Sequence, residues 1–543
     1  MRRPLSPGFV LFDARSSRHR NHRSAAIAAF SLAAAGCSAS PPSSDTRPAE
    51  SLLSDRGALT LASLPTASDA GVTIDPRRSI IVTDQVITQR FSLQNVLDTL
   101  IAQSKISQSA EQLFHEIWDT QNQGPGLHLG PHCDDQKVGG VPAINGFPIE
   151  CPRPEGLAAE EDPFADPNAN QAFFATALVN RFDLAPSDGS SCGENRIIFA
   201  RNRPSLVTDG DPASVLTGTA RAFIIFEAVI PNPNRSLGLR GCKPVEQFWG
   251  SLSTNDDVND RGSRLFNYYF SGLGGSSGVG PVLDIQNLGA SDTRPTGQVR
   301  TNGFMQGSPP NFAGPDGGAI LGLDGWMLKQ FALRVDCTAG PCALRAMPRT
   351  VKVNPWAPLF NPNNTDATSQ AFQSWFATQV GNLGVNDVNL FNYVVPDQFN
   401  AGQSQSFPNG PFFGVDGGPP PPLGPAENDY LAQFEHGAPN NQFRQAIAAK
   451  IASLKLNVTP EQIVARATAL SCGGCHFISA TQDLGFGDGG VAQFGNATPF
   501  AHVSETLFED AGAPGQRQFL VSDALKKQFL PFRAGLLERF LAN

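Results

Sequence analysis

The chain has 543 residues, 40 Lys and Arg against 49 Asp and Glu, a formal net charge of −9, and only 16% charged residues. That length supports two or three domains with their own cores, and that charge excludes the basic face with which a nucleic-acid binder meets phosphates. The 53 Gly and 44 Pro exceed ordinary usage and point to long ordered loops rather than tight helical bundles.

The N-terminus reads as an export signal. Arg2, Arg3, Arg15, Arg18, Arg20 and Arg23 precede a short apolar run from Ala25 to Ala35. The run is too short to span a bilayer. It ends in Leu32-Ala33-Ala34-Ala35-Gly36-Cys37, which resembles the lipobox of bacterial lipoproteins, small residues ahead of a cysteine that becomes lipidated. Ala34 stands where leucine is commoner, and the basic region is long; plain secretion and cytoplasmic retention are the alternatives. The resemblance implies a signal peptide over 1–37 and a lipid anchor on Cys37. Ser38 after the cysteine resembles proteins sorted to the outer membrane, facing periplasm or cell surface. Residues 38–74, rich in Ser, Pro, Ala and Thr, then form a disordered tether.

The stretch 75–400 mixes both periodicities. Ile80-Ile81-Val82, Arg196 to Ala200, Ala222 to Ile230 and Phe331 to Val335 are strand-like runs. Leu93, Val96, Leu97, Leu100 and Ile101 recur at helical spacing, as do Leu113, Phe114, Ile117 and Trp118, and Phe372, Trp375, Phe376 and Val380. Without regular strand–helix alternation the fold class is α+β: a large mixed, loop-rich domain of unknown role. A Pro/Gly-rich linker over 401–427, with Gly417-Gly418-Pro419-Pro420-Pro421-Pro422, separates it from a small, mainly α haem domain over 428–543.

Several constellations in the large region compete for attention. His128, His132, Cys133, Asp134 and Asp135 could hold a metal, but the glycines and prolines around them oppose a helix that would align the histidines. Arg181 and Asp183, in the distinctive stretch Asn180–Gly189, read first as a structural ion pair and second as an active-site arginine. Asn255 to Asp260 reads as a solvated helix start rather than a calcium loop. Gly274-Gly275-Ser276-Ser277-Gly278 matches G-x-S-x-G without the strand that a nucleophile elbow needs.

Setting aside Cys37, Cys472 and Cys475 leaves six cysteines, an even number that suggests three disulfides in an exported chain. Fifteen connectivities are open. Neighbour pairing is the simplest: Cys133 with Cys151, Cys192 with Cys242, Cys337 with Cys342.

The most informative motif comes near the C-terminus. Cys472-Gly473-Gly474-Cys475-His476 spells C-x-x-C-H, the attachment sequence of a c-type haem, and chance would produce it about 0.002 times in such a chain. A plain dithiol or disulfide beside a coincidental histidine is the alternative. Thr459-Pro460-Glu461-Gln462 is a capping box with proline at the first helical position, and Ile463, Ala467 and Leu470 follow at helical spacing. A helix flowing into the attachment turn resembles the first helix of cytochromes c. Helices over Phe443, Ile447, Ile451 and Leu454 and over Leu536, Leu537, Phe540 and Leu541 supply packing partners. Phe477, Leu484, Phe486, Phe494, Phe500 and Phe508 line a haem crevice or simply form a small core.

Cytochromes c usually take methionine as the second axial ligand, yet the last methionine here is Met347. His502 is the one strong iron ligand after His476, so iron ligation by His476 and His502 is the preferred arrangement. His436 and five-coordinate iron remain open. The stretch 180–189, Cys192-Gly193-Glu194 and Ser471–His476 together resemble an uncharacterised family of bacterial exported proteins and lipoproteins with a single c-type haem segment. That resemblance covers most of 75–543 and implies architecture without a substrate. The expected function is a membrane-anchored envelope protein carrying one covalent haem c and passing single electrons to a redox partner. A haem enzyme, peroxidase or dehydrogenase-like, is the rival; a surface binding or structural lipoprotein with haem secondary is the third reading.

Overall fold

Long β-branched and aromatic runs that alternate between two buried environments make strands, and this chain builds its centre from them. The computed structural model describes residues 72–202, 221–291, 296–304, 306–307, 322–323, 326–338, 341–405, 428–476, 482–486, 502–512 and 515–543. The expected signal peptide, Cys37, nearly all of the tether, most of the 401–427 linker, and Phe477, Phe494 and Phe500 lie outside the described residues. The described residues belong to one compact unit, Ala49–Asn543.

The strands are β1 (Ile81–Val82), β2 (Lys137–Val138), β3 (Val141–Ile144), β4 (Phe147–Pro148), β5 (Phe173–Arg181), β6 (Ser191–Arg201), β7 (Arg221–Pro231), β8 (Gln298–Phe304), β9 (Gln306–Gly307), β10 (Gly322–Leu323), β11 (Met327–Asp336), β12 (Ala343–Arg349), β13 (Ser404–Gln405), β14 (Val503–Asp510) and β15 (Arg517–Val521). One antiparallel sheet runs β1-β5-β6-β7-β8-β11-β12, with β13 added on β11. The fold is thus mixed α and β around a large antiparallel sheet, as the α+β reading expects.

Side chains alternate across a strand, so each face of this sheet has its own chemistry. Ile197 and Phe199 of β6, Ile224 and Phe226 of β7, Val299 of β8 and Phe331 and Leu333 of β11 enter one large apolar core. Helices cover that face: α1 (Pro76–Ser79), α2 (Gln85–Thr88), α3 (Leu93–Ser104), α4 (Ala110–Asp119), α5 (Lys243–Leu252) and α6 (Val258–Ser271). Four of these helices, α1, α3, α4 and α6, start on a side-chain cap. Ser109 and Gln112 close a capping box at α4, and Asp257 caps α6, which makes the acidic Asn255–Asp260 stretch the helix start expected of it. Trp249 of α5 and Tyr268 of α6 are fully buried there, and both donate to the Asn195 side chain of β6 at 3.1 and 2.7 Å. Burying side chains of this size contributes roughly 1.5–3 kcal/mol each.

A second core lies among α7 (Ala367–Thr378), α8 (Val380–Leu383), α9 (Tyr430–Glu435), α10 (Gln442–Leu454) and α11 (Pro460–Leu470), around Phe360, Phe372, Phe376, Tyr430, Phe443, Ile447 and Ile463. Leu484 and Phe486 belong to this core, with Phe486 stacked on Phe391. The motif turn itself is α12 (Cys472–His476) and the last helix is α13 (Leu530–Leu541). The segment after the motif returns to the sheet core: Val503, Phe519, Val521, Leu536, Leu537 and Phe540 are all part of it, and Phe540 sits 4.6 Å from Phe182. Phe508, expected near a haem crevice, packs at a tilt against Phe519, ring centroids 4.9 Å apart. Residues from 75–400 and from 428–543 therefore share one core.

The three disulfides join neighbours, Cys133–Cys151, Cys192–Cys242 and Cys337–Cys342, the simplest of the fifteen pairings. Among the described residues no helix is long and apolar enough to cross a membrane.

Candidate site around the C-x-x-C-H turn

The turn is built by its own sequence. Thr459 and Gln462 exchange both capping-box bonds and Pro460 opens α11, as the sequence expects. Arg466, fully buried midway along α11, donates to the carbonyls of Leu484, Leu383 and Val385 at 2.7–2.9 Å and lies 4.6 Å over the Phe486 ring. Burial pushes its guanidinium down to about 10. That arginine fixes the direction in which the helix delivers the motif.

Ser471 ends α11 and starts the motif turn. Its hydroxyl donates to Thr468 O at 2.8 Å and accepts from Gly474 N at 2.9 Å, while Cys475 N donates to Ser471 O at 2.9 Å. A β-carbon on Gly474 would meet Thr468 O at 1.7 Å, and one on Gly473 would meet Gln405 O at 2.7 Å. Both glycines are there because backbone passes too close for anything larger. Gly473 N also donates to the Ser404 hydroxyl of β13 at 2.8 Å, which docks the turn on the sheet edge where β13 pairs with Leu328 of β11.

Cys472 and Cys475 are half-buried and not bonded to each other, unlike the other six described cysteines. Cys472 packs against Trp326, Leu328 and Val351. The His476 ring stacks on Trp326, centroids 4.1 Å apart and planes within 11°. Burial pushes the Cys472 thiol up, against the pull of Arg300 and Arg196 nearby. Two thiols one helical turn apart, unjoined and followed by an imidazole, form a donor set that fits a porphyrin held by two thioethers.

Beneath the turn lies the charged face of the sheet. Arg196 of β6 reaches Glu194 at 2.6 Å and Glu227 of β7 at 2.9 Å. Arg300 of β8 reaches Glu227 at 3.1 Å and Gln330 of β11 at 3.1 and 3.2 Å. Gln298 also donates to Glu227. The register explains the chain of contacts: Arg196 is opposite Glu227, Glu227 opposite Gln298, and Arg300 opposite Gln330. Arg181 of β5 holds Asp183 at 2.8 Å, the structural ion pair expected from the sequence, and Arg533 of α13 stands 3.5 Å from the same carboxylate. Burial alone would raise Asp183, but Arg181 and Arg533 hold it down to about 2.

His502 approaches the same face. Its backbone is pinned to Ser522 at both ends, its Nε2 is 3.5 Å from buried Glu505, and its ring meets Phe223 edge-on at 6.2 Å. Phe223 alternates with the apolar residues of β7, so it faces the side that carries Glu227. Phe223, Asn302 and Leu328 are consecutive cross-strand partners. Phe223 and Leu328 are therefore two strand spacings apart, roughly 10 Å. His502 and Cys472 thus flank one stretch of the sheet, where β6 and β8 finish and β7 and β11 begin. His436, the weaker candidate, is exposed just past α9.

The other constellations are structural in form. His132 Nε2 is 3.2 Å from the buried carboxylate of Asp119, Cys133 is bonded to Cys151, and Asp134 and Asp135 accept from the Gly124 and His132 amides. Among the described residues no three His, Cys, Asp or Glu side chains converge as a metal-ion group. Gly275–Ser277 is a short turn in a loop.

No family model, curated protein or solved structure matches the chain.

The sequence reading missed Trp326, Arg466, Arg533 and the strip Glu194–Arg196–Glu227–Arg300. One signal was present: Arg196 and Glu227 sit inside apolar runs, where a strand buried on both sides with a single chemistry carries no charge.

Proposed function

We propose that this chain is an exported, lipid-anchored c-type haem protein that passes single electrons in the cell envelope. The observation that carries the reading is the pair of unjoined thiols one turn apart beside His476, in a chain whose other described cysteines are all paired. When bound, the haem supplies a one-electron iron couple. Cys472 and Cys475 would hold it covalently, and His476 would ligate its iron. Ser471, Gly474 and Ser404 keep the turn rigid, and Trp326 fixes the plane of the His476 ring. His502 is the second ligand in this reading, supported by its approach to the same sheet face. The α11–α12 unit plays the part of the first helix of a cytochrome c, mounted here on a sheet edge.

Cys37 carries the lipid that tethers the protein to the outer membrane, and the partner is another redox protein of the envelope. The test is a reduced-minus-oxidised optical spectrum of the protein made with haem maturation machinery, recorded with and without carbon monoxide. A covalent haem whose iron refuses carbon monoxide supports electron transfer, and His502→Ala then opens the iron to it. Ready binding of carbon monoxide by the unaltered protein rejects the closed-iron carrier in favour of a haem enzyme. A spectrum of His502→Ala that matches the parent rejects His502 as ligand.

A further inference from the structure

One atom of the cluster around His132 has no work in the fold. Asp119, the last residue of α4, is fully buried. Its carboxylate accepts from the Leu127 amide at 2.9 and 3.1 Å and from the Asn122 side chain at 2.9 Å. A carboxylate so engaged only accepts, so His132 Nε2, 3.2 Å away, donates to it. In the neutral ring this leaves Nδ1 as a lone-pair acceptor. The His132 side chain is only 10% exposed, and among the described residues nothing donates to Nδ1. The pair is also held in place. Cys133, next in sequence, is bonded to Cys151 and gives its amide to Asn122 O at 3.0 Å. Gly126, with φ +43°, lies against the pair, where a β-carbon would stand 2.5 Å from Asp119 Oδ1 and 2.8 Å from His132 Nε2.

His132 lines a cavity of about 170 Å³. The walls are largely apolar, from Ala143, Ile144, Ile149, Phe331, Met347 and Pro348, and the exposed Asp135 and Gln136 line it towards solvent. Lys329 lines it as well, with its ammonium donating to the Glu150 carbonyl. An engineered apolar cavity of roughly 150 Å³ takes up benzene, so this one matches a single aromatic ring. An anion would meet the Nδ1 lone pair, Asp119 behind it and Asp135 at the mouth. An ammonium would lose its hydration against the apolar walls. A neutral hydroxyl on an aromatic body satisfies both the acceptor and the walls. We propose that this cavity binds a small uncharged phenol, with the hydroxyl donating to His132 Nδ1 and the ring against Phe331 and Met347. Asp119 is then a positioning residue that fixes the tautomer. The site stands apart from the haem reading and does not depend on it.

The experiment is isothermal titration of the purified full protein with phenol, fluorobenzene and benzoate. It is paired with the Met347 methyl resonance in protein carrying isotope-labelled methionines, of which the chain has only four. Fluorobenzene offers the same body without the donor, and phenol is expected to bind about tenfold more tightly. Phenol is expected to move the Met347 methyl through its ring current. In His132→Phe the preference is expected to vanish, with fluorobenzene held within about twofold of its parent affinity. Equal affinities for phenol and fluorobenzene, or tighter binding of benzoate than of phenol, overturn the proposal. So does a preference for phenol that survives His132→Phe, a Met347 methyl that stays put at saturation, or phenol that fails to saturate by about 10 mM. Should His132→Phe fail to fold, the ligand series and the Met347 shift in the parent protein still decide.

Discussion

The two faces of the central sheet are built from the same strands and do opposite work. On the helical side, Ile197, Phe199, Phe226 and Phe331 meet the buried aromatics of α5 and α6, and polar groups such as Asn195 are fully satisfied. On the other side, one residue along each strand, Arg196, Glu227 and Arg300 form a line of charge that ends on the neutral amide of Gln330, under the Cys472–His476 turn. The first face carries the stability of the fold. The second holds costly groups in fixed positions beside two thiols and an imidazole, which is how a site is distinguished from a core.

The contrast can be broken from either side. The largest effect is expected on the apolar face: Trp249→Ala empties a fully buried site and removes one of the two donors to Asn195, costing about 4 kcal/mol in urea unfolding while haem attachment per folded molecule stays unchanged. Loss of attachment in folded Trp249→Ala would mean that the two faces are not separable. Next comes Glu227→Gln on the charged face, which leaves Arg196 and Arg300 without their shared carboxylate and costs about 3 kcal/mol by the same measurement. A neutral result would show the strip to be hydrated rather than sealed. Gly474→Ala places a β-carbon against Thr468 O and is expected to cost about 2 kcal/mol, with a larger proportional loss of covalent haem read by mass.

The smallest and most specific test returns to the helical face. Glu246 of α5 is fully buried, and burial pushes its carboxyl up to about 8 although Asn180 donates to it at 3.0 Å. The folded protein then keeps a proton that the unfolded chain releases near pH 4.5. Stability from this group is present below that pH and is lost as pH rises toward 8, by up to about 1.4 kcal/mol per pH unit. Glu246→Gln is expected to flatten the slope over that window in a pH series of unfolding midpoints; an unaltered slope would assign the titration elsewhere.

Much of the scaffold was legible because its elements satisfy local rules. The runs in β6 and β7 are apolar and rich in isoleucine, and that in β11 is apolar from Phe331 to Leu333. Helical spacing in α3, α4, α7, α10, α11 and α13 marks most of their buried residues, although Leu454 at the end of α10 is exposed. Strand β5 escaped notice because alanines dilute Phe173–Arg181, and β8 because Gln298, Arg300 and Asn302 point to the charged face and break its apolar run. The motif was legible as five letters. Its surroundings were not, since Trp326 reaches it from far along the chain and nothing local marks a residue for a long-range contact. The disulfides follow the simplest of fifteen pairings, among which the sequence itself does not choose.

The most direct measurement is the intact mass of the full protein made in a host with haem maturation machinery, followed by its reduced optical spectrum. The account predicts one porphyrin bound through Cys472 and Cys475, with the other six described cysteines oxidised in pairs. A colourless protein whose mass fits a Cys472–Cys475 disulfide would contradict it.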